Sequence, residues 1–348
     1  MNGDASQYRS FRSDERGVIL AWVLILLGLI TALALQAQWT ARMTLRTEEG
    51  KALRTQLRVA ATDAAWGALV RLAGDDDLRV DHTNEPWAIP EEQLLPNGID
   101  TWVQIEDENR RFDVNSLSVQ GAGNANRRSV DMVSDLLVLS GQSDPSVQAR
   151  VLQDWIDVDH EGLREADYYR NLIPPLVIAD ALMESPGELA EVLALAGSVG
   201  GMPPGITVLP DYNILSGDVD RRSDVGKPSI AGGSTPGRRI MPVNLNTADR
   251  DVILAVVGLE HAAAVESLCR LRDAGPLASL AALERFLKTG SKTPWNLYLD
   301  VKSHYFSVTA RAAKDGKSEA VYALVCRDPQ GQVDILRWVC RYIPPGLI

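Results

Sequence analysis

Three cysteines in 348 residues are too few for a disulfide framework, and none stands in the C-x-x-C spacing of a zinc or redox site. Cys269, Cys326 and Cys340 are therefore read as small core residues. Positive charge is also short, with 35 Lys and Arg against 46 Asp and Glu and a formal charge of −11. Binding to a phosphate backbone draws free energy from Lys and Arg displacing counterions, so an acidic body speaks against extended nucleic-acid contact. The four histidines, His82, His160, His261 and His304, are scattered. No G-x-S-x-G, H-E-x-x-H or G-x-x-x-x-G-K-[ST] occurs, which removes the common hydrolase, metalloprotease and nucleotide-binding sites. An unfamiliar catalytic site would need strongly shifted titratable groups gathered in a deep pocket.

Charge is missing altogether from Val18 to Ala37. Twenty helical residues span about 30 Å, the thickness of a bilayer's hydrocarbon core. The run exceeds the roughly 7–15 residues of a signal-peptide apolar region and continues into more helix. Arg9, Arg12 and Arg16 precede it, so the N-terminus stays cytoplasmic and the body lies across the membrane. Past Arg42 the pattern turns amphipathic, with Leu53, Leu57, Ala61, Ala64, Ala68 and Leu72 spaced by three and four. Gly74 and Asp75-Asp76-Asp77 end it. The whole helix would be about 80 Å long, and so small an apolar stripe suits packing on a sheet of its own domain.

Ile99 to Ile105 is β-favouring and is followed by Glu106-Asp107-Glu108-Asn109 and Arg111 to Asn115, which predicts a hairpin. Helices follow. Val130, Val133, Leu136 and Leu137 share a face, and Gly141 can end the helix in the left-handed region. Asp144-Pro145 offers an N-cap and a first-turn proline, and Ser185-Pro186-Gly187-Glu188 is a capping box. Gly200-Gly201, Pro203-Pro204, Gly232-Gly233 and Pro236-Gly237 loosen residues 197–242 into a crossing, with one short strand near Ile206 to Pro210. Asn246 or Thr247 caps the next helix, Gly258 separates it from another, and Gly275-Pro276 breaks that one. Tyr305 to Ala312, Glu319 to Arg327 and Gln332 to Tyr342 form a three-stranded meander. The expected fold class is α+β: a long N-terminal transmembrane and amphipathic helix packed on a small antiparallel sheet, with a large all-helical insertion.

Arg16-Gly17-Val18-Ile19-Leu20, a charged leader ending in Gly before an apolar helix, resembles the processing site of type IV pilin-like proteins. The resemblance implies cleavage after Gly17 by a prepilin peptidase and methylation of Val18. The fifth mature position would be Trp22, where most members carry a Glu whose carboxylate is costly in lipid unless a neighbour neutralises it. The landmarks of the body resemble, in order, the type II secretion minor pseudopilin K family. They are Val114-Asn115, Asp154-Trp155-Ile156-Asp157, Tyr168-Tyr169 with Pro174-Pro175, Val208-Leu209-Pro210, Val243 to Ala248 and Gly275-Pro276-Leu277.

That likeness implies a pilin-like domain interrupted by two units resembling sterile-alpha-motif folds. Its parts would be a leader at 1–17, a span at 18–37, pilin-like residues 38–114, the insertion at 115–290 and the closing meander at 291–348. It implies a non-enzymatic tip subunit of the type II secretion pseudopilus, single-pass in the bacterial inner membrane with its C-terminal domain in the periplasm. Its implied partners are minor pseudopilins I and J, then H, through spans and soluble domains.

The acidic stretch around Gly162 has two readings. Asp157, Asp159, Glu161 and Asp167 could aim carboxylates at a calcium ion, or form a solvated loop; the spacing is not that of an EF-hand, and the family resemblance implies structural calcium. Val243 to Leu287 also resembles a helix-hairpin-helix unit, which supplies the alternative function, a membrane-tethered DNA-binding protein. Glu260 stands where that hairpin has its second glycine and would repel phosphate.

Overall fold

A computed structural model describes residues 14–118, 123–157, 161–198, 202–210, 240–287 and 295–342. The leader ahead of residue 14, Asp159, Gly200-Gly201, Gly232-Gly233 and Pro236-Gly237 lie outside them. The chain divides into two units, residues 1–59 and 60–348. Helix α1 runs from Asp14 to Ala73 without a break. Within the first unit its apolar side chains from Val18 to Leu35 are exposed, as a lipid-facing helix requires. Thr31 returns its hydroxyl to the Leu27 carbonyl at 2.6 Å, so its one polar atom is satisfied by the helix itself.

In the second unit the last turns of α1 bury Ala61, Ala65, Ala68, Leu69 and Leu72. Against them stands a five-stranded antiparallel sheet of β1 (Glu91–Leu94), β2 (Asp100–Asp107), β7 (Tyr305–Lys314), β8 (Lys317–Arg327) and β9 (Val333–Tyr342), in that spatial order. Val103, Ile105, Val308 and Ala310 are buried, and the pairings Ile105↔Val308 and Val103↔Ala310 put them on one face. The expected meander is present. Its β7–β8 turn places Asp315 and Gly316 at φ +51° and +70°, the positive pair that a two-residue hairpin needs.

The expected hairpin between β2 and residues 111–115 does not form. β2 pairs instead with β1 and β7, while β3 (Phe112–Asp113) pairs in parallel with β4 (Ile206–Thr207). Asp107 and Asn109 are buried in hydrogen bonds to other segments, so the chain continues inward at that point.

Between the sheet strands lies the helical part: α2 (Gly123–Leu139), α3 (Pro145–Ile156), α4 (Ala166–Arg170), α5 (Pro186–Leu195), β5 (Val243–Asn244), α6 (Arg250–Val257), α7 (Ala262–Ala274), α8 (Ala281–Leu287) and β6 (Leu299–Asp300). One apolar cluster, including Leu136, Leu152, Leu193, Ile253 and Leu268, runs through it. Gly205 lies so close to α2 and α6 that a Cβ there would meet Leu136 Cδ2 at 2.8 Å and Val252 Cγ2 at 3.0 Å. Ser185 caps α5 by accepting from the Glu188 amide at 3.2 Å. The N-cap of α6 is Asp249, not Asn246 or Thr247, because those two side chains are used elsewhere. Of the three cysteines Cys326 is buried and Cys269 half-buried, but Cys340 on the outer strand is exposed, so it is not a core residue.

Candidate functional site

The N-terminal site residues lie on one helix. Val18 opens the apolar stretch, whose best 18-residue window has a mean hydropathy of 2.9, long and apolar enough to cross a membrane. Trp22 lies one turn further on, 69% exposed. Gly17 belongs to the same helix by its backbone.

In the second unit the densest polar chemistry is a buried hub. Arg327 at the end of β8 is 2% exposed and ion-paired with Asp75 at 2.6 Å and with Asp81. Its guanidinium sits 4.7 Å from the Phe306 ring centroid. Glu85 completes a group of three carboxylates, and its oxygen accepts from the Trp87 indole. Burial, opposed by the His82 amide and aided by Asp75 and Asp81, pushes Glu85 up to about 7. Joined to Asp81 through Ser303, Asp107 accepts from Ser303 Oγ at 2.6 Å, Thr247 Oγ1 at 2.5 Å, Asn244 Nδ2 at 3.1 Å and the Asn109 amide at 2.7 Å. Enclosure pushes it up to about 6 against those donors. Burial lowers His304.

Shifted groups alone do not make a catalytic centre. The polar cavity nearest the hub, about 370 Å³, is lined by Arg79, Lys302, His304, Arg327 and neighbours, and neither Glu85 nor Asp107 lines it. The carboxylates are consumed by bonds that join segments, and the arrangement is a stitch. Sequence reasoning missed it, since Arg327 is simply the charged end of an apolar strand until its distant partners are known.

The acidic stretch is only partly gathered. Asp157 is buried, Glu161 is exposed, and Asp167 is exposed and paired with Arg170 at 3.1 Å. The carboxylates that turn inward are Asp154, Asp157 and Glu165. Asp154 accepts from the Leu163 and Arg164 amides at 2.7 and 2.8 Å. A Cβ on Gly162 would fall 2.1 Å from Asp154 Oδ1 and 2.6 Å from Glu165 Oε1, so only glycine fits between them. At the α6–α7 hairpin, Gly258 has φ +110°, and the Glu260 carboxylate lies over it, 2.6 Å from where a Cβ would be. An acid group therefore fills the place from which backbone amides would hold a phosphate.

The short landmarks of the body bond to one another. Asn115 donates to Met183 O at 2.9 Å and Leu209 O at 3.0 Å and accepts from the Met183 amide. Asn246 donates to Leu277 O at 3.1 Å and accepts from the Leu277 amide at 2.8 Å. Residues 110–211, which hold the first of these clasps, match the family model described as type II secretion system (T2SS), protein K. Over 211 residues the chain is 26% identical to the putative type II secretion system protein K of Escherichia coli (strain K12), covering 57% of this chain. The chain spans 64% of the length of that curated relative. The likeness of fold extends further than the sequence match. A crystal structure described as the GspK-GspI-GspJ complex from the enterotoxigenic Escherichia coli type 2 secretion system aligns with a TM-score of 0.56 at 16% identity. That alignment covers 86% of this chain and 99% of that one.

Proposed function

We propose that the protein is a non-enzymatic structural subunit, a minor pseudopilin at the tip of the type II secretion pseudopilus, that helps initiate the filament for export across the outer membrane. The observation that carries this reading is the occurrence in one chain of an uncharged, exposed apolar helix and of residues 110–211, which match the protein K family model. On this reading the helix is a single inner-membrane span and the body is periplasmic. Minor pseudopilins I and J, then H, are the partners through spans and soluble domains; the GspK-GspI-GspJ complex of the structural relative supports the first two. The helical insertion is read as two sterile-alpha-motif-like units.

Prepilin peptidase cuts after Gly17 and Val18 becomes the methylated first residue. At Trp22 an indole fills space that a carboxylate would occupy only with a neighbour's amine beside it. A subunit without that need can stand last in the row. The test is the intact mass of membrane-extracted protein: residues 1–17 lost and one methyl gained in the parent, the leader retained in Gly17→Ala. A parent that keeps its leader contradicts the processing step.

Structural calcium is part of the same proposal. The ligands on this reading are Asp157, Asp159, Glu161 and Asp167, since carboxylates close together in the chain are a hard-oxygen donor set. It would supply charge neutralisation that fixes the α3–α4 loop. Calcium titration calorimetry on the detergent-solubilised chain, with a melting curve, tests it: no heat and no gain in melting temperature removes calcium while leaving the assembly role standing.

A further inference from the structure

We propose that the outer edge of β9, with the indole pair beside it, takes a strand from a neighbouring minor pseudopilin and extends the sheet to six strands. The inference rests on the assembly reading above and specifies where the partner docks.

β9 is the last strand of the sheet. It pairs with β8 from Val333 to Tyr342, and among the described residues no strand pairs with its other side. Folded proteins keep such edges short, charged or bulged because an open row of N–H and C=O groups invites another strand. The opposite edge follows that rule: β1 has four residues, Glu91 and Glu92 among them. β9 has ten, with a single register shift opposite Leu324 and Val325. It is therefore the longer edge, charged and bulged near its start but in unbroken register from Arg337 to Tyr342.

Register gives the two sides of this edge different chemistry. Trp338 and Cys340 lie opposite Ala323 and Val321, while Arg337 and Arg341 lie opposite Leu324 and Ala320. On the first side Trp66 of α1 stacks on Trp338 with centroids 5.5 Å apart and planes at 29°. Trp66 is half exposed and Val70, one turn on, is 71% exposed. Indoles that are already stacked lose little freedom on docking, and Trp is enriched among residues that dominate interface energies. On the second side Arg337 already donates to the Glu184 carbonyl, and Arg341 offers an exposed guanidinium. The fitting occupant is a strand with apolar residues toward the indoles and an acidic residue toward Arg341.

Two other occupants fit worse. Acyl chains cannot satisfy backbone N–H and C=O groups, so a bilayer surface does not suit a strand edge. A second copy pairing antiparallel through β9 about Val339 would set Arg337 against Arg341 twice, and like charges directly opposite destabilise a pair.

The test uses the full chain in detergent, with and without the minor pseudopilins I and J of its own secretion system. In the complex the amides of residues 333–342 are expected to exchange about tenfold more slowly or better, and Cys340 to react more slowly with a maleimide. Half-buried Cys269 serves as the internal reference. Arg341→Glu, at an exposed position, is expected to leave the melting temperature unchanged and weaken the complex about fivefold to tenfold. Trp66→Ser is expected to weaken it more. A complex that forms while β9 exchange and Cys340 reactivity stay the same overturns the edge proposal and spares the assembly role. Complete absence of a complex overturns both.

Discussion

Replacing Arg327 by Met removes the cation from the buried hub while keeping the length of the side chain. The backbone of residue 327 still donates to His304 O at 2.7 Å, so the strand itself is preserved. What is lost is the partner of Asp81, which is fully buried, and of Asp75. Breaking a buried pair by deleting one member costs about 3–5 kcal/mol, because the remaining charge has neither water nor counter-ion. At about 2–4 °C per kcal/mol for a domain of some 200 residues, the melting temperature should fall by roughly 10 °C. The assay is thermal unfolding of the detergent-solubilised chain, followed by the near-ultraviolet signal of its tryptophans. Adding Asp81→Asn to Arg327→Met should recover part of the loss, because the stranded charge disappears with it. A single variant that melts within about 2 °C of the parent refutes the argument that the hub bears on stability.

Glu85 gives the hub a pH signature. Its folded-state value is raised from 4.5 to about 7, so the protonated acid is favoured in the fold. Stability from this group is full below pH 4.5 and is lost as pH rises through about 7. Glu85→Gln should flatten that part of the melting-temperature profile, and an unchanged slope would place its origin elsewhere. Gly162→Ala should destabilise the α3–α4 loop by about 1–3 kcal/mol, since the new methyl overlaps Asp154 and the loop must open. Proteolysis confined to residues 157–166 would report the opening, and wild-type resistance there would show that the loop yields without cost.

Much of this fold was legible because its signals are local. An uncharged run of twenty residues has few readings, and the spacing of Ala61, Ala64, Ala68 and Leu72 fixed the face that α1 turns inward. The positive-φ pair Asp315-Gly316 announced the β7–β8 hairpin. What escaped is non-local. Nothing near Ile105 says that its partner is Val308, two hundred residues away, so adjacency suggested a hairpin that does not exist. Asn246 and Thr247 resembled helix caps by type, yet their side chains bond to Leu277 and Asp107. The loop acids show the same limit: their types and number were plain, but which of them turn inward depends on how α3 ends and where Gly162 passes.

The hub joins segments that the helical insertion separates in sequence. Asp75 and Asp81 come just after α1, and Asp107 and Asn109 stand where the chain leaves the sheet. Asn244 and Thr247 belong to its second half, and Ser303, His304 and Arg327 stand where the sheet resumes. Asn244 alone donates to Asp81 O, Asp107 Oδ2 and Ser303 Oγ, at 3.1, 3.1 and 2.8 Å. Closing a sheet across some two hundred inserted residues costs chain entropy that grows only slowly with length. The harder requirement is direction, because an inserted body can swing about its two connections unless something fixes them. Apolar contact is non-directional, whereas carboxylates and amides that meet at set distances hold an orientation. On the proposed reading, a subunit that offers β9 to a neighbour needs that orientation held, and the directional bonds of the buried acids hold it where an apolar plug of the same volume would not.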